Sequence, residues 1–392
     1  MNRAILAIVL ALLVAGAIWG PVPADACLFC TAQEATLSER IAVADAVALA
    51  EWVKAMPGEE NSPGWTAYRV IKLLKGNPLL VDSQVTVPQF HNGKPGGRFL
   101  VSAQVPEPGA PLEWGLPLEI TKAAYRYLQE APAPNVPAKK RLPYFAGFLE
   151  HGDPVIANDA FAEFALANDD DIAAMADELP REKLRQWVTS PKTLQTRVGV
   201  YGMLLGLCGD ESDARRLEAR ILEPVTGDVR LGIDGIMGGY LLLTGDRGLD
   251  LIDRTKLQNH DIDRSEVYSA LQALRYMWSY GHGRIKPERL RQSLRALLDR
   301  PDFADYIIKD LSRWKDWGVQ ERLIGMYGVG DYDYPAMKTA ILGYLFASSR
   351  DEGDTHEDKA RSDRAREVLR EIQQRDPQYA KEVRRFFVDV AP

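Results

Sequence analysis

Cysteine, histidine and clustered positive charge are all scarce in this chain. Its 392 residues include three cysteines and five histidines, and the formal net charge is −7 with no basic run. Phosphate binding needs clustered Lys and Arg, so nucleic acid is not expected as the main partner. No H-E-x-x-H, G-x-S-x-G or Walker sequence occurs, which leaves the common zinc-protease, serine-hydrolase and phosphate-loop chemistries without a motif. His260 stands beside Asp261 and Asp263, but all three fall in one interhelical loop. One loop rarely supplies a full ligand set, and Asp263 reads as the N-cap of a helix starting near Ser265. "GIDGIMGGY" lacks the G-x-G-x-x-G order and a preceding strand; its Gly232, Gly235 and Gly239 read as a close helix–helix approach. No catalytic residue, metal or cofactor is expected.

What is present is ordinary globular composition, 46% hydrophobic and 26% charged, with room for two or three domains. The beginning is an exception. Arg3 precedes an unbroken apolar run from Ala4 to Ile18, which Trp19-Gly20-Pro21-Val22-Pro23 ends, and Ala24-Asp25-Ala26 follows. This is the layout of a secretory signal over residues 1–26. The run is shorter than the roughly 20 residues of a membrane-spanning helix. An uncleaved anchor is the rival reading. Either way the expected address is outside the cytoplasm: periplasmic or extracellular, or held to the membrane by this segment alone.

Cleavage after Ala26 makes Cys27 the first mature residue, with Cys30 completing a C-x-x-C pair. In an oxidising compartment the two are expected to close on each other as a structural disulfide. A redox dithiol at the start of a helix, two ligands of a metal site, lipidation and free thiols remain open alternatives. Haem attachment needs His after the second Cys, and Thr31 stands there. Cys208, in "MLLGLCG", reads as a buried inert thiol.

Residues 27–130 read as a small β domain. "DAVALAEWV", "WTAYRVIKLLKG", "SQVTVPQF" and "GRFLVSAQV" are strands separated by Pro and Gly clusters, and "PLEWGLPLEI" adds a closing strand. In the second strand, alternation puts Tyr68, Val70 and Lys72 on one face and Arg69, Ile71 and Leu73 on the other. Such short, regularly spaced strands predict a barrel or sandwich. Residues 131–140 form a Pro/Ala-rich linker. From 141 to 392 the period is helical. Gly209, Gly245 and Gly281 recur every 36 residues, each after a long apolar helix and before a shorter polar one. Leu205, Leu241 and Met277 keep one character, as do Leu204, Tyr240 and Tyr276. Two helices per unit at this period predict a right-handed α-solenoid. "DYDYP" reads as a solvated loop, and 350–364 as a charged loop merging into a helix.

The β half resembles the netrin-like, OB-type barrel of the tissue inhibitors of metalloproteinases. The match is carried by Cys27 after the signal, "ADAVALAEWV", the "Y-x-V-x-K-x-x-K-G" run from Tyr68 and "GRFLVSAQV". The resemblance implies a barrel. It also implies an inhibitory role in which the amine and carbonyl of Cys27 chelate a protease zinc. The chain has C-x-x-C where that family has C-x-C, and Leu28 where the family places a small polar residue. The helical half resembles HEAT-like repeat proteins, and the whole is similar to exported bacterial proteins with the same order of a β head and a helical tail.

These readings converge on a non-catalytic scaffold or adaptor that holds a protein or peptide on its solenoid surface. Trp314 and Trp317 in "RWKDWGVQER", with Arg313 and Arg322, are the candidate contact residues, since interface hot spots favour Trp and Arg. Metalloprotease inhibition through Cys27 and a Cys27/Cys30 thiol–disulfide oxidoreductase are the alternatives.

Overall fold

An antiparallel sheet preceded by one short helix begins the structure, a computed structural model that describes residues 35–59, 63–225 and 229–375. Cys27, Cys30, the apolar leader and the last predicted helix lie outside the described residues. The chain divides into two compact units, one up to Cys208 and one from Gly209.

In the first unit, helix α1 (Leu37–Val43) precedes strands β1 (Ala46–Met56), β2 (Trp65–Lys75), β3 (Gln84–Val87), β4 (Arg98–Gln104), β5 (Glu113–Trp114) and β6 (Leu118–Glu119). The strand order is β3-β2-β1-β4-β5, with β6 also on β4. The sheet is not closed by hydrogen bonds among the described residues. Its end strands β3 and β5 approach within 8 Å between Cα atoms without pairing. Period-2 alternation builds the concave core: Ala48 and Ala50 from β1, Tyr68 and Val70 from β2, Val85 and Val87 from β3, Phe99 and Val101 from β4. Tyr68 and Phe99 meet edge to face, 5.2 Å between ring centres.

One face assignment differs from simple alternation. Lys72 opposes Leu49 while Val70 opposes Ala50, so Ile71 is an extra residue in the ladder. This bulge turns the strand, sets Leu73 opposite Ala48 and packs it on the core, and leaves Lys72 exposed.

The remaining helices of this unit are α2 (Lys122–Glu130), α3 (Ala138–Ala146), α4 (Pro154–Ala165), α5 (Asp169–Ala173), α6 (Arg181–Trp187) and α7 (Gln195–Cys208). Asp153 caps α4 ahead of Pro154, as its sequence predicts. The Pro/Ala-rich stretch 131–140 is not the boundary between the compact units. Helix α3 starts inside it, and aromatic contacts span it: Tyr127 lies 5.6 Å from Tyr144 and 5.0 Å from Phe148, and the Tyr144 hydroxyl donates to the Tyr127 carbonyl at 2.7 Å. Further along, the Arg197 guanidinium donates to the Leu149 carbonyl and to Glu150, tying α7 to the end of α3.

The second unit is helical: α8 (Glu211–Leu222), α9 (Ile233–Thr244), α10 (Asp246–Ile252), α11 (Arg264–Tyr280), α12 (Pro287–Ala296), α13 (Pro301–Arg313), α14 (Gln320–Met326), α15 (Pro335–Arg350) and α16 (His356–Arg375). Helix α9 packs on both α8 and α11, α15 on both α13 and α16. The 36-residue period reappears as ion pairs. Arg230 meets Glu266, Arg247 meets Glu211 and Arg289 meets Asp253, each pair 36 residues apart. Residues at equivalent places in successive helix pairs therefore lie across from one another. The six aligned apolar positions from Leu204 to Met277 are all buried. "DYDYP" is less free than a solvated loop. The Tyr332 hydroxyl donates to the Leu298 carbonyl and the Tyr334 hydroxyl to the Pro301 carbonyl, because the loop folds over the connection between α12 and α13.

The recurring glycines serve different needs. Gly245 ends α9 with φ at +58°, a region costly for side-chain residues. Gly281 ends α11 at φ −75°, but a Cβ there would sit 2.3 Å from the Met277 carbonyl oxygen. Gly281→Ala is therefore expected to destabilise the second unit by about 1–3 kcal/mol through overpacking. The urea midpoint of the variant chain measures it, and an unchanged midpoint contradicts the close approach.

Candidate functional site

Helices α11 and α13 meet along a seam of planar and charged side chains. Residues 264, 268, 275 and 278 share one face of α11, and 302, 306, 310 and 313 share one face of α13. The Arg264 guanidinium contacts Asp302 and lies 5.0 Å from the Phe303 ring centre. Arg275 donates twice to Asp310 Oδ2, at 3.0 and 2.7 Å. At the end of the seam, Trp278 and Trp314 stack with ring centres 4.2 Å apart and planes 5° from parallel. Arg291 lies 5.5 Å over the Trp278 ring and donates to the Trp314 carbonyl, so a cation–π contact and a hydrogen bond lock one guanidinium there.

The following turn continues the pattern. Arg295 forks onto both carboxylate oxygens of buried Asp316, at 2.7 and 2.6 Å. That hydrogen-bonded pairing holds the guanidinium pKa above its ordinary value. Trp317 Nε1 donates to Asp351 at 3.0 Å, its ring meets Tyr344 edge to face, and the Arg361 guanidinium lies 5.3 Å over it. The Trp317 hydrogen bond is the first cause of the lowered Asp351 pKa, with Lys315 adding to it.

The four contact residues expected from sequence thus separate. Trp314 is only 5% exposed, its ring covered by Trp278, so it builds the surface from beneath and offers a partner no face. Trp317 is half-buried. Arg313 is the most exposed member, with a side chain 76% exposed against 39% for Arg322 and only a 3.8 Å approach to Asp310. Arg322 on α14 pairs instead with Asp299 at 2.7 Å. Sequence reasoning missed Trp278 and Arg291, whose places depend on which helix lies alongside.

It also missed two buried charge clusters. In the first unit, α4 carries Asp159 and Glu163 one turn apart, an acidic pair on a mostly apolar helix that the sequence already displays. Asp159 accepts from the Leu37 N–H at 2.6 Å and from the Tyr127 hydroxyl at 2.8 Å. Glu163 pairs with Arg141 at 2.9 Å. Burial pushes both carboxyl pKa values up. Raised carboxyl pKa values are a mark of acid–base sites. Here both groups are at most 5% exposed and already bonded to neighbouring elements of the unit, so substrate has no access and the pair works as a clamp.

In the second unit, Glu266 accepts from Arg230 Nε at 2.8 Å and Lys256 Nζ at 2.7 Å. A π-helical turn, Asp253–Leu257, carries Lys256 inward. Burial alone would raise the Glu266 pKa, but the two cations outweigh it and hold it low.

The first unit also has a shallow open depression of about 570 Å³ between Ile120 and Val155. The Thr121 hydroxyl donates to Asp153 at its rim, so the capping groups there serve each other. Among the described residues no cluster of three or more potential metal ligands occurs, and no helix is long and apolar enough to cross a membrane. No protein-family model matches the chain, and no curated protein matches it at a significant level.

Proposed function

We propose that this protein is an exported, non-catalytic binding scaffold that holds a protein partner on the surface of its second, helical unit. The observation that carries the reading is the state of its charged groups. Buried Asp159 and Glu266 are engaged by fixed donors and buried Glu163 is paired with Arg141, whereas the α11–α13 seam holds stacked tryptophans and locked guanidinium groups just beneath solvent. Pre-organised aromatic and Arg groups favour recognition, because little side-chain entropy remains to be lost on binding.

The finer architecture in this reading is an OB-type, netrin-like sheet followed by a HEAT-like solenoid. Two features support it: β1 at the sheet centre between β2 and β4 with the end strands approaching, and ion pairs repeating at 36 residues. Export is supported by the leader sequence alone. Site-resolved photocrosslinking in the native host tests the function. A benzoylphenylalanine placed in turn at exposed positions of the second unit is expected to give discrete protein adducts from one contiguous face. Adducts from no position at all contradict the scaffold reading.

A further inference from the structure

The outward side of the α11–α13 seam carries an excess of positive charge beside exposed aromatic rings. Tyr268 lies one turn beyond Arg264, and Tyr306 one turn beyond Asp302, so the two rings fall between the Arg264–Asp302 bridge and the Arg275–Asp310 bridge. Both tyrosines are 48% exposed. Lys309 follows on α13, exposed, its ammonium 5.8 Å from the Tyr306 ring centre and in no ion pair among the described residues. Arg313 comes one turn later. Its nearest anion, Asp310, is buried and already holds two hydrogen bonds from Arg275, so the Arg313 charge is left largely to solvent. Lys315 stands just past the helix end, shared with Asp351 at 3.2 Å. The stripe thus has two surplus positive charges beside two exposed rings, on a chain of net charge −7.

From this arrangement we infer that the α11–α13 face, through Tyr268, Tyr306, Lys309 and Arg313, binds an extended acidic segment of a protein partner. This rests on the scaffold reading and names its ligand chemistry. The rings offer flat apolar area with a polar rim, and the surplus cations select carboxylates and reject basic partners. A nucleic acid fits less well. Two surplus cations neutralise few of its closely spaced phosphates, and the face has no further clustered Lys and Arg to follow a backbone.

Fluorescence anisotropy with a labelled peptide of repeated Glu-Ser-Glu-Gly tests it on the full chain. Binding that weakens with added salt is expected. The Lys309→Glu/Arg313→Glu double variant is expected to lose about tenfold or more of the affinity, and Tyr268→Ser/Tyr306→Ser to lose a smaller factor. Arg247→Glu, elsewhere in the same unit, serves as the charge-reversal control and is expected to bind as the parent does. Unchanged circular dichroism and thermal midpoint in each variant separate lost binding from lost folding. No peptide binding, equal binding by the charge-reversed double variant, or stronger competition by oligothymidylate overturns the inference. Photocrosslinkers at 268 and 306 divide the two readings. Adducts from other faces but none from these positions end this inference and leave the scaffold reading standing, while the absence of adducts everywhere ends both.

Discussion

Replacing Glu266 with alanine is expected to destabilise the second unit by about 3–5 kcal/mol, because two cations are then left in its interior with no anion. Arg230 and Lys256 both donate to this carboxylate, which is 1% exposed, while Lys256 is itself 4% exposed. Lys256 has no route to water short of opening the π-helical turn that carries it, while Arg230, 18% exposed, stays tied to the Arg220 and Ile221 carbonyls. Urea unfolding followed by circular dichroism checks the magnitude. Glu266→Gln keeps the shape but not the charge, so it is expected to fall near the same value. If glutamine instead restores parental stability, charge pairing is not what Glu266 supplies. Adding Lys256→Met to Glu266→Gln is expected to recover some of the loss, since one uncompensated cation is removed.

The second large effect is a dependence on pH that runs in opposite directions in the two units. Asp159 and Glu163 have pKa values raised by burial. Their folded forms take up protons before their unfolded forms do. As pH falls from neutral through the raised folded values toward the ordinary carboxylate range, these two groups therefore add stability to the first unit. Glu266 has a lowered value, so its contribution is complete above the ordinary carboxylate range and is lost as pH falls from that range through the lowered folded value. Asp159→Asn imitates the protonated clamp and keeps an acceptor for the Leu37 N–H. Its urea midpoint is expected to exceed that of the parent at pH 7 and to converge with it in mild acid. Glu266→Gln is expected to behave oppositely, its deficit largest at pH 7 and shrinking on acidification. Parallel curves for Asp159→Asn and parent across this range contradict a burial-raised carboxyl at that position.

Much of the fold is legible in the chain because it depends on local periods. Alternation marks β1 to β4, Asp153-Pro154 marks the start of α4, and the glycines at 209, 245 and 281 mark the repeat. The candidate surface is only half legible. Trp314 and Trp317 stand out by type, yet their exposure is set by what packs on them. Trp278 comes from a helix 36 residues earlier and covers one of them; Tyr344 and Arg361 come from later helices and hold the other.

Composition and spacing by themselves determined the divided character of the protein, strands first and helices after, and the period on which the helices recur. They did so because backbone geometry imposes a repeat of two or 3.6 residues on whichever side chains must be buried. Tertiary structure alone decided the Leu73 reversal at a bulge, the grouping of α2 to α7 with the sheet, the isolation of the Asp159–Glu163 pair from solvent, and which cations on α13 are left in surplus. Each depends on a neighbour distant in sequence, and the free energy of burying or pairing a charge belongs to the neighbour as much as to the residue.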